Sequence, residues 1–118
     1  LFSFLLSNEC IGYGGFVHRN WKKRRAELSF LLDTKIVNKK KKYEKYFKIF
    51  LDIIFKINHE QIKFKTIFTE TYDIRSDHIK ILENFGFKYK RKTNKIKLID
   101  NQRIDSLIHE YKPKMEEI

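Results

Sequence analysis

The spacing of apolar residues changes period several times along this chain, and each change marks an element. Leu1–Ser7 is almost unbroken apolar sequence and predicts a buried strand, ended by the turn chemistry of Asn8-Glu9. Ile11–His18 predicts a second strand, containing Gly12, Gly14 and Gly15, and Asn20–Arg25 a polar, basic hairpin tip. In Ala26–Asp33 the pattern alternates: Leu28, Phe30 and Leu32 fall on one face, Glu27, Ser29 and Leu31 on the other, as in a third strand. Short turns between such strands make an antiparallel meander. From Tyr43 to Ile57 the period becomes helical. Tyr43, Tyr46, Phe47, Phe50, Leu51, Ile54 and Phe55 form a stripe that Ile49, Ile53 and Ile57 widen. Lys41, Lys45, Lys48, Asp52 and Lys56 remain as a narrow polar edge, so the helix is expected to lie largely covered on a sheet.

The β-branched run Thr66–Thr71 predicts a fourth strand, reached through a helical crossover and therefore parallel to the third. A second helix is expected over Asp77–Asn84, capped by Asp73 or Ser76 and stopped by Gly86 in a left-handed conformation. Phe87–Lys92 and Lys95–Ile99 read as strands parted by a Thr-Asn turn, and Arg103–Tyr111 as the last strand after Asp100-Asn101. Pro113 and the charged residues to Ile118 read as a tail. The sum is an α/β fold with a mixed, mostly antiparallel central sheet and helices packed on it, one domain over residues 1–112.

Composition narrows the function classes. A chain of 118 residues that is 42% hydrophobic, with eleven Phe and six Tyr, is one folded domain and not a disordered tail. No apolar run is long enough to cross a bilayer, and Leu1–Leu6 is too short for a secretory signal and has no basic flank. The lone Cys10 forms no internal disulfide and fits a reducing cytoplasm. Because the chain opens on Leu1 in strand-like sequence, a further N-terminal segment is expected. The formal net charge of +11 suits phosphates, nucleic acid or anionic lipid. From Lys22 onward the lysines are nevertheless spread along the chain rather than gathered on one segment, which weighs toward plain compositional bias.

Few local motifs carry chemistry. Gly12-x-Gly14-Gly15 leads into strand sequence where a dinucleotide loop needs a helix start, so that reading is excluded; such glycines mark a bulge or a close backbone approach. His18, His59, His78 and His109 lack metal-ligand spacing and read as exposed or half-buried. Cys10 reads as a small apolar strand residue, and Tyr13 and Trp21 as packing. What stands out is the succession strand, basic loop, apolar helix over Ala26–Ile57. Free N–H groups at a helix start, with lysines beside them, make an anion site.

In its order of elements the chain resembles the GNAT acyltransferase superfamily. Ile11–Phe16 followed by Ala26–Leu32 is similar to that family's central hairpin, and Lys39–Glu44 lies where the family places its pyrophosphate loop. The run from His78 to Phe87, ending Asn84-Phe85-Gly86-Phe87, matches its late helix, and Ile104–Ile108 its final strand. The likeness begins at the family's second strand; the first strand and following helices are not matched.

The resemblance implies acyl transfer from acetyl-CoA to a primary amine, with pantetheine running between two splayed strands. Phe30, Leu31, Leu32 and Asp33 would then lie along the cofactor arm, and Lys39, Lys40, Lys41, Lys42, Tyr43 and Glu44 at the pyrophosphate. Lys42 and Glu44 occupy positions where the family has glycines, and Leu82 stands where many members carry a tyrosine general acid. Arg75 matches an asparagine that opens the late helix. Glu27 and Glu70 are the candidate general bases and Tyr72 a candidate acid. Asp105 and His109 face either the acceptor pocket or solvent. The closing strands are similar to the branch acting on amino sugars of nucleotide carriers. A homodimer is compatible with this reading. The alternatives are a basic nucleic-acid-binding module and a GNAT scaffold that has lost catalysis.

Overall fold

The computed structural model describes residues 2–6, 9–32, 39–99 and 101–113. Strands β1 (Phe2–Leu6), β2 (Glu9–Asn20) and β3 (Arg25–Leu32) form the expected meander. Helix α1 (Lys40–Ile57) crosses over to β4 (Thr66–Tyr72), helix α2 (Ser76–Phe85) follows, and β5 (Lys88–Ile99) and β6 (Gln102–Tyr111) close as a hairpin. All strands join one six-stranded sheet in the order β1-β2-β3-β4-β6-β5. Among the described residues only the β3–β4 pair is parallel, so the sheet is mixed and mostly antiparallel, as the sequence pattern predicts.

Alternation in β3 aims Ala26, Leu28, Phe30 and Leu32 into the core, where Phe30 stacks on Phe47 at 4.7 Å and on Phe50 at 4.6 Å. The helix comes so close to β2 that a Cβ on Gly14 would run into the Phe50 ring. That contact explains the glycine-rich strand: the absent side chain admits a helix, not a nucleotide. Gly86 ends α2 at φ 129°, donating its N–H to Leu82 and Glu83 carbonyls.

Several expectations are corrected. Helix α1 begins at Lys40, three residues before the apolar stripe starts, and Ile49 and Ile53 are exposed, so it is less covered than its composition suggests. It runs into a π-helical turn, Asn58–Ile62, because buried Asn58 captures the next segment: its Nδ2 donates to Phe64 O at 3.1 Å and its Oδ1 accepts from Phe64 N at 2.8 Å. No Thr-Asn turn divides β5. The register against β6 shifts between Tyr89 and Arg91 and again between Lys92 and Ile96, and these irregularities absorb the polar residues that looked like a turn. Neither Asp73 nor Ser76 caps α2; Arg75 holds the N-cap position without a side-chain bond. His78 and His109 are buried, whereas Cys10 and Tyr13 are exposed. Trp21 is exposed as well, although one face of its ring stacks on Phe64 at 4.8 Å. Asp33 and the tail beyond Pro113 lie outside the described residues.

Candidate active site

The sheet opens in its middle. Strands β3 and β4 pair at Arg25–Thr66, Ala26–Ile67 and Glu27–Phe68 and nowhere beyond. Both continue, β3 to Leu32 beside β2 and β4 to Tyr72 beside β6, so their outer edges stay satisfied while their facing edges part. Among the described residues, backbone groups along this gap have no strand opposite them, which leaves donors and acceptors for an extended ligand. The gap encloses about 110 Å³, with Glu27, Ser29 and Phe30 on one wall, Thr69, Glu70 and Thr71 on the other, and Arg75 and His78 at the helix end.

Glu27 closes the last paired rung. Its side chain is 15% exposed and accepts a 2.7 Å hydrogen bond from Nδ1 of His18, itself 78% exposed. Glu70 lies on the opposite wall with its residue exposed. The two carboxylates therefore flank the gap where the strands diverge.

At the other end, a second cavity of about 240 Å³ lies where the starts of α1 and α2 meet. Tyr43 and Glu44 reach it from α1, and Arg75 and His78 line it as well as the gap. Arg75 Nη2 donates to the Tyr43 hydroxyl oxygen at 3.0 Å, and the same nitrogen is 3.3 Å from His78 Nδ1. Since guanidinium only donates, the Tyr43 O–H is free to donate to His78 Nδ1 at 2.6 Å. The network thus assigns the imidazole proton to Nε2. Burial pushes His78 down to about 3, helped by the Arg75 charge and then by His109. Burial likewise raises Tyr43, against the opposing pull of Arg75, so the phenol keeps its proton at neutral pH. The His78 ring lies 4.4 Å above Phe47, nearly parallel to it.

Neither helix start is capped by a side chain, and the first turn of α1 holds no acid but Lys40, Lys41 and Lys42. Positive charge at the positive end of a helix is unfavourable by itself and favourable once an anion sits there. Among the described residues no group of His, Cys, Asp or Glu is arranged to hold a metal, and no helix is long and apolar enough to cross a membrane.

A sheet splayed after three parallel rungs, with a helix start at its mouth, agrees with a family model described as an acetyltransferase (GNAT) domain, which matches residues 1–108. The chain belongs to the GNAT acetyltransferase family. No curated protein sequence matches it. Among solved structures it is similar to a probable acetyltransferase at TM-score 0.72 and 11% identity, over 93% of this chain and 59% of that one. Spermidine/spermine N-acetyltransferase SpeG from Vibrio cholerae, in complex with manganese ions, superposes at TM-score 0.75 and 12% identity over 89% of this chain and 59% of that one. A dodecameric form of the Vibrio cholerae spermidine N-acetyltransferase gives 0.70 and 16%, over 89% and 58%. These likenesses establish the fold, and the chain spans about three fifths of the length of those structures.

Within this GNAT frame the residues singled out from sequence separate into groups. Glu27, Phe30 and Glu70 line the gap; Tyr43 and Glu44 line the wider cavity. Leu32 is buried in the core and Leu31 is exposed beside Tyr13, both outside the gap lining. Tyr72 ends β4 opposite Ser106, also outside that lining. Lys39, Lys41 and Lys42 are exposed at the start of α1, which Lys40 opens, and Glu44 is paired with Lys48 at 2.9 Å. His109 is buried and 3.7 Å from Glu83, and Asp105 is engaged by Arg103, so neither has the open aspect considered for it. Sequence reasoning missed the parts played by Arg75, His78, Ser29 and Thr69. The i, i+3 spacing of Arg75 and His78 at a helix start is the one local signal for the first two.

Proposed function

We propose that this GNAT chain is an N-acetyltransferase domain that moves an acetyl group from acetyl-CoA to a primary amine. The observation that carries this reading is the gap between β3 and β4, open after the Glu27 rung and flanked by two carboxylates. Acetyl-CoA supplies an activated acyl group: the amine forms the C–N bond as C–S breaks, and the departing thiolate takes up a proton. Phe30 and the strand edges beyond the last β3–β4 rung would hold the carrier arm in extended form. Lys39, Lys41 and Lys42 and the uncapped start of α1 would hold its phosphates, with lysine charge standing in for the close approach that glycines allow.

Glu27 is the proposed general base, accepting the amine's proton directly or through water, with His18 holding the carboxylate in place. Glu70 is the second candidate on the facing wall. Leu82 is fully buried and has no proton to give, so Tyr72 at the end of β4 is the proposed proton source for the thiolate. For the acceptor we favour an amine borne on an anionic carrier, such as an amino sugar on a nucleotide. The neighbours' names point instead to spermidine, a polycation that a +11 chain would repel.

Isothermal titration with acetyl-CoA, followed by release of free thiol over a panel of amines, tests this function. Saturable binding and amine-dependent thiol release are expected. Absence of acetyl-CoA binding overturns the reading, and binding without release on any amine leaves a scaffold that has lost catalysis.

A further inference from the structure

Two buried polar side chains beside the gap have no hydrogen-bond partner among the described residues, and neither serves the amine transfer set out above. Thr69 Oγ1 lines the gap from β4, and both ring nitrogens of His109 lie without a partner on β6. The two residues are 3% and 1% exposed. A hydroxyl and an imidazole left bare at that depth are costly, so each calls for a role.

Their placement supplies one. Thr69 and His109 are directly opposed on β4 and β6, which puts their Cβ atoms about 4.5–5.5 Å apart on one face of the sheet. It is the helix-covered face, because Thr69 shares the buried side of β4 with Ile67 and Thr71 while Glu70 is exposed on the other. From α2, Glu83 brings Oε2 to 3.7 Å from His109 Nε2. A hydroxyl lining the gap, an imidazole beside it and a carboxylate behind the imidazole have the order of nucleophile, base and orienting acid. Their spacing is looser than hydrogen bonds, as such sets often are before substrate binds.

Resting on the acetyltransferase reading above, we infer that Thr69 is a second acyl acceptor, and that the chain cleaves acetyl-CoA without an amine through an acetyl-threonine ester. Thr69 Oγ1 attacks the thioester carbonyl and passes its proton to His109. The C–O bond forms, the C–S bond breaks, and the thiolate leaves with that proton. Water then attacks the ester; His109 takes a proton from it and returns one to Thr69 Oγ1 as acetic acid departs. The net reaction is acetyl-CoA plus water to acetic acid plus free thiol. Glu83 is a positioning residue that holds the imidazole and offsets its transient charge. Glu27 and Glu70 belong to the opposite face of the sheet, so amine transfer and this cleavage draw on separate groups.

The lysine-free segment Thr66–Arg75 suits the test, since cleavage after Lys65 and Arg75 frees it whole. The full chain is mixed with acetyl-CoA and no amine, quenched in acid during the first turnover, digested with trypsin and read by tandem mass spectrometry. An acetyl group on Thr69 is expected, together with free thiol released in the absence of amine. Thr69→Ser should keep both, and Thr69→Val should lose both. Glu83 has a half-exposed side chain, so Glu83→Gln leaves the core intact. It should slow amine-free release about tenfold or more with the KM for acetyl-CoA unchanged. If the unsubstituted chain binds acetyl-CoA but Thr69 stays unmodified, or Thr69→Val releases thiol as fast without amine, the acyl-threonine inference is overturned and the acetyltransferase reading stands. If the unsubstituted chain does not bind acetyl-CoA, both fall.

Discussion

Glu27 and His78 stand at opposite ends of one gap, and each makes a distinct demand on experiment. Glu27→Gln keeps the shape and removes the basicity, so turnover should fall about a hundredfold or more while acetyl-CoA affinity measured by calorimetry stays the same. Unchanged turnover would move the base to Glu70. His78 bears on stability. Unfolded, it binds a proton near its ordinary pKa of 6.5; folded, it resists until about 3, because burial, Arg75 and His109 all oppose a second charge. Above pH 6.5 neither state holds that proton, and the native state keeps its full advantage. As pH falls through the window from 6.5 to about 3, the unfolded state gains a proton that the native state refuses. Stability should then drop by up to about 1.4 kcal/mol per pH unit, and below about 3 the contribution should level off. Urea unfolding at pH 7 and pH 4.5 should show a shallower loss for His78→Gln; equal losses would remove His78 from the account. Glu27 was legible in the sequence because strand alternation alone sets its face. The His78 arrangement was not: Tyr43 lies 35 positions away and Arg75 gains its meaning only when α1 and α2 meet.

Helix α1 is the element that joins fold and site. Its apolar stripe was readable from periodicity, and Phe47, Phe50, Leu51 and Ile54 are buried accordingly. Its start was harder to read, because lysines have no apolar signal and the helix reaches back over them to Lys40. A helix start that is wrongly charged for its own dipole invites a two-sided test. Lys41→Glu should raise stability by about 0.3–1 kcal/mol in urea unfolding, since an acid there complements the N-terminal partial charge. The same change should weaken acetyl-CoA in calorimetry. A variant that is both more stable and equally good at binding would separate the helix start from the phosphates. On the buried side, Gly14→Ala should destabilise by about 1–3 kcal/mol, because the new methyl group runs into the Phe50 ring and the packed helix has little room to retreat. The β5 hairpin marks the limit of such reading. Polar residues in a long twisted strand look like a turn in sequence, and only the register against β6 shows that pairing resumes beyond them.

At the scale of the whole molecule, the net charge of +11 bears on which amine can approach. Exposed cations lie at the hairpin tip (Lys22, Lys23, Arg24), at the start of α1 (Lys39, Lys41, Lys42) and along β5 (Lys88, Lys90, Arg91). They are distributed over the sheet and helices rather than gathered in one stripe, so they act on an incoming ligand mainly through a summed field. That field reaches about 10 Å at 0.1 M salt and shrinks as salt rises. An amine on a nucleotide carrier is drawn in by it and a polyamine is held off, and salt acts oppositely on the two. With acetyl-CoA saturating, raising ionic strength from about 50 to about 300 mM should lower kcat/KM for the anionic-carrier amine several-fold and raise it for a polyamine. If kcat/KM for the two amines moves the same way, the field does not select the acceptor, and selectivity must then reside in the walls around Glu27 and Glu70.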